Sequence, residues 1–281
     1  MARVEVNGLH LNVEVMGDGF PLLALHGFTG STATWRPFAV SWPGHRIIAV
    51  DLIGHGASEA PADESRYTMA HCTADLTALL DALDVEWAAL LGYSMGGRVA
   101  LQFALAAPER IAALVIESAS PGIEDADERA VRAAADRALA DGIERDGIEV
   151  FVDRWEALPM WATRAALPEP VRQRLRAQRL RNSTAGLANS LRGMGAGAQE
   201  PVLNRLGELR MPVLLIAGEE DAKYRQLAHD MRERIRDAHI NIAEGAGHAA
   251  HLERPAAFAP LVKEFLTTCL QQNQQPPSAR P

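Results

Sequence analysis

The chain has 281 residues, 48% of them hydrophobic, which is enough for one large core or a core carrying an added layer. Its formal net charge of −8 excludes an overall basic field of the kind that holds nucleic acid. Two cysteines, Cys72 and Cys269, exclude a disulfide framework.

Residues 2–16 alternate apolar and polar side chains around Asn7-Gly8, the pattern of a hairpin with a tight turn. That start has neither the basic onset nor the continuous apolar run of a signal peptide. No later stretch approaches the ~20 apolar residues of a membrane span. A soluble, cytoplasmic protein is expected. FPLLALHG (20–27) and HRIIAVDLIGHG (45–56) read as buried strands running into Gly-rich loops. Residues 69–85 space Leu76, Leu79, Leu80 and Leu83 as a helix does. AALLGYS (88–94) is a strand, MGGRVALQFALAAPE (95–109) a helix stopped near Pro108, and IAALVIESAS (111–120) the next strand. Strands follow at 211–221 and 239–248, and an amphipathic helix at 256–270. Val-, Ile- and Leu-rich strands separated by helices predict an α/β fold with a mostly parallel sheet covered on both faces.

Residues 121–210 break that rhythm with helical periodicity and no clear strands. The expected organisation is a core formed by 1–120 and 211–270, a helical lid at 121–210 and a disordered polar tail at 271–281. Between Trp161 and Arg210 there are nine Arg and three Glu, a local excess that fits a small anionic ligand and equally a solvated helix face.

LLGYSMGGRVAL (90–101) holds the sharpest signal, G-x-S-x-G after a strand and at the start of a helix. A serine hydroxyl needs a neighbouring base and an exposed position to act. A strand-to-helix turn gives that exposure but tolerates only small neighbours, hence Gly92 and Gly96 around Ser94. An acid and then a histidine should follow in the chain. Asp221 comes after the strand VLLIAGEE and His248 after the strand INIA, both at carboxyl ends where open sheets place their sites. Glu117, Glu219 and Glu220 are rival acids; His251 is a wall residue, His229 and His239 surface residues, and His45, His55 and His71 structural ones. An oxyanion hole needs two backbone N–H groups, expected from Met95 and from Phe28 in the loop HGFTGS (26–31), with His26-Gly27 keeping the loop tight. Neither metal-ligand spacing nor a phosphate-cradling loop is evident, so no cofactor is expected.

These features resemble the α/β-hydrolase superfamily over about residues 4–270. A finer resemblance rests on HGFTGSTATW (26–35), DLIGHGAS (51–58), GYSMGGRVAL (92–101), ESASPGI (117–123), GLANSLRGMGAGAQ (186–199), GEEDAKY (218–224) and GAGHAAHLERP (245–255). Together these are similar to the menaquinone-pathway 2-succinyl-6-hydroxy-2,4-cyclohexadiene-1-carboxylate (SHCHC) synthases. The resemblance implies an Asp221–His248–Ser94 triad and a lyase that eliminates pyruvate from an enolpyruvyl ether carrying three carboxylates. Arg98, one helical turn past Ser94, is then a carboxylate ligand, since its planar fork binds carboxylate bidentately. The same resemblance implies two lid arginines, placed at Arg132, with Arg129 as its rival, and at Arg181, with Arg179 as its rival. Tyr93 and Trp155 are expected to line the pocket, and Lys223 to steady the acid loop. The expected partner is a small polycarboxylate substrate, with no nucleic acid and no membrane.

Overall fold

The apolar runs become strands, six of them parallel. The computed structural model describes residues 2–272. The core strands and helices are β1 (Ala2–Val6), β2 (Leu9–Met16), β3 (Phe20–Leu25), β4 (His45–Val50), α1 (Met69–Ala82), β5 (Ala88–Tyr93), α2 (Met95–Ala106) and β6 (Ile111–Glu117). An insertion follows, with α3 (Ala126–Glu156), α4 (Glu169–Leu180) and α5 (Thr184–Met194). The core resumes with β7 (Val213–Gly218), α6 (Ala222–Arg234), β8 (Ala238–Ala243), α7 (Ala250–Glu253) and α8 (Pro255–Gln272).

The eight strands form one sheet in the order β1-β2-β4-β3-β5-β6-β7-β8. β1 and β2 pair antiparallel through a turn in which Asn7 and Gly8 both have positive φ, the conformation a two-residue hairpin demands. From β4 to β8 every pairing is parallel. Alternate residues of the central strands face opposite layers, so each strand is apolar throughout. Leu23, Leu25, Ile48 and Val50 pack with Leu76, Leu79 and Phe103 of α1 and α2. Leu22, Ala24, Ile47 and Ala49 pack with Trp35, Trp42, Phe258 and Val262 on the α8 side. Burial at about 25 cal/mol per Å² of apolar surface makes this two-layer core the main source of stability.

The insertion lies between β6 and β7. It has its own apolar seam, where Ala140, Ile143, Phe151 and Val152 of α3 meet Leu187, Ala188 and Leu191 of α5. α3 breaks at Gly147, whose φ of 84° no L-residue adopts readily. Its arginines are mostly spent at the surface: Arg172 pairs with Glu169, Arg176 with Asp153 and Glu156, and Arg192 with Asp141 and Glu144. The solvated-face reading therefore accounts for much of the basic excess. Residues 271 and 272 of the expected polar tail belong to α8; the rest of that segment, 273–281, lies outside the described residues.

Candidate active site

The strand β5 turns into α2 through Ser94, which has φ 51° and ψ −110°. A non-glycine residue there costs about 1–3 kcal/mol and persists only where its surroundings over-determine it. Here the Ser94 N–H donates to the Glu117 carbonyl at 2.8 Å, and the Arg98 N–H to the Ser94 carbonyl at 3.0 Å. Sterics fix the flanking residues. A Cβ on Gly92 would stand 2.4 Å from the Gly96 carbonyl oxygen, and one on Gly96 2.5 Å from the carbonyl oxygens of Leu25 and His26.

Ser94 Oγ lies 3.0 Å from His248 Nε2, and His248 Nδ1 lies 2.6 Å from Asp221 Oδ2. With Nδ1–H donating to the Asp221 carboxylate, Nε2 is left to accept the seryl proton. The imidazole is buried, 1% exposed. The rival acids are engaged elsewhere. Fully buried Glu117 accepts from the His251 N–H at 3.0 Å and from its Nδ1 at 2.9 Å, while Glu219 accepts from the Gly245 N–H at 2.9 Å. Glu220 is exposed.

The loop after β3 is pinned by His26. Its Nε2 accepts from the Leu52 N–H at 3.0 Å, so its Nδ1 carries the proton and donates to the Gly27 carbonyl at 2.8 Å. Burial pushes the His26 pKa down to about 4, keeping the ring neutral. The N–H groups of Phe28 and Met95 donate to no acceptor among the described residues, as a hole awaiting an anionic oxygen requires.

Arg98 is bound through its side chain to Gln199 Oε1 at 3.0 Å and pairs with no carboxylate among the described residues. Loss of solvation pulls its pKa down to about 10. Arg132 donates to Asp136 at 2.8 Å, and the second oxygen of Asp136 accepts from the Gly197 N–H at 3.1 Å. Arg98 and Arg132 both act electrostatically on Tyr224, whose phenol burial pushes up. The Tyr224 ring lies 4.5 Å from His248. Arg129 instead donates to the carbonyls of Ile123 and Glu124, holding the loop before α3.

The two candidates for the second lid position differ in where they lie. Arg181 caps the end of α4, is exposed and lines none of the cavities described below. Its rival Arg179 is 8% exposed and bonds Glu156 at 2.5 Å. Arg179 lines a cavity with Phe28, Tyr93 and Trp155. Two residues along a helix point about 200° apart, so only one of this pair can face inward. Lys223 is exposed, its ammonium 5.8 Å from the Tyr224 ring centre.

Four contributors were not anticipated: Gln199, Tyr224, Trp161 and Arg164. The first two lie inside the segments GLANSLRGMGAGAQ and GEEDAKY. Trp161 packs on His248 with ring centres 5.4 Å apart, and the Arg164 guanidinium lies 3.6 Å from the centre of Trp161. Nothing in the local pattern distinguished either residue. Among the described residues no cluster of three or more His, Cys, Asp or Glu is arranged to hold a metal ion. No helix among them is long and apolar enough to cross a membrane.

The profile of the alpha/beta hydrolase fold family matches residues 21–255. A Klebsiella pneumoniae protein named 2-succinyl-6-hydroxy-2,4-cyclohexadiene-1-carboxylate synthase is 34% identical over 89% of this chain and 96% of its own length. A Bacillus subtilis relative, provisionally given the same name, is 43% identical over 88% of this chain and 90% of its own. The solved structure of MenH from S. aureus superposes with a TM-score of 0.88 at 32% identity, covering 94% of this chain and 99% of that one.

Proposed function

The chain belongs to the α/β-hydrolase fold family and, within it, to the SHCHC synthases, and from that premise we propose that it releases pyruvate by proton abstraction through Ser94, His248 and Asp221. The substrate in this reading is 2-succinyl-5-enolpyruvyl-6-hydroxy-3-cyclohexene-1-carboxylate, and the product is the conjugated diene of menaquinone biosynthesis. One observation carries the reading. A half-buried arginine with no carboxylate partner, Arg98, stands one helical turn from a serine whose hydroxyl is bonded to an imidazole. An esterase for neutral substrates has no use for that cation, and burying it without an anion is costly.

The ring carbon beside the succinyl ketone bears the acidic hydrogen. Ser94 Oγ takes that proton as its own passes to His248 Nε2, and Asp221 stabilises the resulting imidazolium. Negative charge builds on the ketone oxygen, where the Phe28 and Met95 N–H groups hold it. The electron pair moves into the ring, the C–O bond to the enolpyruvyl group breaks, and the second double bond forms. The departing enolpyruvate recovers the proton and tautomerises to pyruvate. Arg98, Arg132 and Arg179 bind carboxylates and orient the ring, while Tyr93 and Trp155 line the cavity. The insertion serves as a lid that excludes water. General-base assistance is worth about 10²–10⁴ in rate, and positioning supplies the rest. A cytoplasmic location completes the reading, supported by a buried Cys72 thiol in a chain with no disulfide framework.

The test is stoichiometry joined to intact mass. The purified protein is expected to yield one pyruvate per substrate, with no covalent adduct on Ser94 when turnover is quenched. An accumulating acyl-serine on the same substrate would reject the base role.

A further inference from the structure

Arg164 lies on the short 3-10 segment Pro159–Ala166 and is 8% exposed. One terminal nitrogen donates to the Tyr93 hydroxyl at 3.2 Å. Its Nε and other terminal nitrogen are shielded from solvent and meet no acceptor. The carboxylates near it are already taken. Glu253 accepts from the N–H groups of Gly247 and Ala249, and Glu117 is held by His251. Among the described residues, half-buried Arg98 and buried Arg164 are the arginines that combine a charge without a carboxylate partner and a place beside the triad. Arg98 adjoins His248 by way of Tyr224, and Arg164 adjoins it by way of Trp161.

Arg164 also lines the cavity that Phe28, Tyr93, Trp155, Arg179 and His251 share. A buried guanidinium with two idle donors is a poor structural element, because it is neither solvated nor paired, whereas Arg179 beside it is already bonded to Glu156 at 2.5 Å. An anion beside Arg164 relieves that penalty. We propose that Arg164 and Arg179 form a carboxylate site that takes the terminal carboxylate of the succinyl arm, making Arg164 a specificity-determining residue. The assignment of the arm follows from position. The ketone oxygen sits at the Phe28 N–H, Phe28 lines this cavity, and the succinyl carboxylate hangs two methylenes from that ketone. The identity of the arm rests on the synthase reading; the existence of the anion site does not.

Three measurements on Arg164→Met and Arg164→Lys test it: melting of the ligand-free protein, the shift in melting caused by succinate as a dicarboxylate probe, and steady-state pyruvate release. Removing an unpaired buried cation should leave the ligand-free melting temperature of Arg164→Met unchanged or higher. The KM for the tricarboxylate should rise about 10–100-fold, the cost of losing hydrogen bonds to a charged group, with kcat little altered. Arg164→Lys, keeping charge but not the fork, should fall between. Succinate should raise the melting temperature of the wild type and not of Arg164→Met. A lower melting temperature for Arg164→Met with KM unchanged makes Arg164 a structural residue and overturns the proposal. If the wild type releases no pyruvate, the synthase reading fails, while an Arg164-dependent succinate shift still upholds the anion site. If pyruvate is released and neither KM nor the succinate shift depends on Arg164, the reading stands and the site is refuted.

Discussion

Replacing Arg98 with methionine removes a charge and leaves an apolar side chain of similar reach. In the free protein the change gives up one hydrogen bond, to buried Gln199 Oε1 at 3.0 Å, and no ion pair, a cost of about 1–3 kcal/mol for the acceptor left behind. Against a bound carboxylate the cost is larger. Truncating one partner of a buried, hydrogen-bonded charge pair costs about 2–4 kcal/mol. At 1.36 kcal/mol per tenfold, kcat/KM for the tricarboxylate should fall about 30–1000-fold. The assay couples released pyruvate to lactate dehydrogenase and follows NADH absorbance. Slow hydrolysis of p-nitrophenyl acetate, a neutral ester that reports the Ser94–His248 pair alone, serves as the reference and should change less than about threefold, since nothing in it pairs with a guanidinium. Equal losses on both substrates would refute the carboxylate role and make Arg98 a support for the elbow instead.

Stability should depend on pH through two buried histidines. Burial lowers His26 to about 4 and, with His26 beside it, His55 to about 3, so the unfolded chain binds more protons than the folded one once pH falls below the ordinary histidine value. Their contribution is complete above about pH 7 and declines as pH falls through about 6.5 to 3, by up to about 2.7 kcal/mol per pH unit while both titrate, above about pH 4. Urea midpoints at pH 7.5 and 5.5 check it, and identical midpoints would contradict it. Gly147→Ala isolates the break in α3: a Cβ there meets nothing within 4 Å, so the cost is the positive φ alone. About 1–3 kcal/mol is expected, seen as a melting temperature lower by about 2–12 °C. An unchanged melting temperature would mean that the break straightens.

The core strands were legible because each is a short apolar run bounded by glycine or a polar turn. The register of β3 against β4 and β5 needs only those runs side by side. The serine elbow was legible for a stronger reason, since its glycines are dictated by backbone contacts under 3 Å that no other residue survives. The helix α6, in contrast, is not legible: AKYRQLAHDMRER is mostly polar and buries only Ala228 and Met231 fully. The insertion was the least legible part. α4 carries arginines at 172, 176 and 179 on one face and at 174 on the opposite one, with Arg181 at its cap on that opposite side, so arginine occurs on both faces and periodicity cannot say which one points inward. The choice of Arg179 over Arg181 depends on how α4 docks beside Phe28 and Trp155, a tertiary fact. Arg164 was hidden for the same reason. Its neighbours in the cavity, Tyr93 and His251, lie 71 and 87 residues away in the chain.

The central claim is that the Ser94 oxygen, kept basic by His248, removes the proton whose loss expels enolpyruvate. Its most direct measurement is single-turnover pyruvate release by Ser94→Ala, with substrate affinity followed separately by calorimetry. Affinity should stay within a few-fold of the wild type, because the arginines and N–H groups are untouched, while the rate should drop about 10²–10⁴-fold. Release at the wild-type rate by the alanine variant would contradict the claim and require a different base.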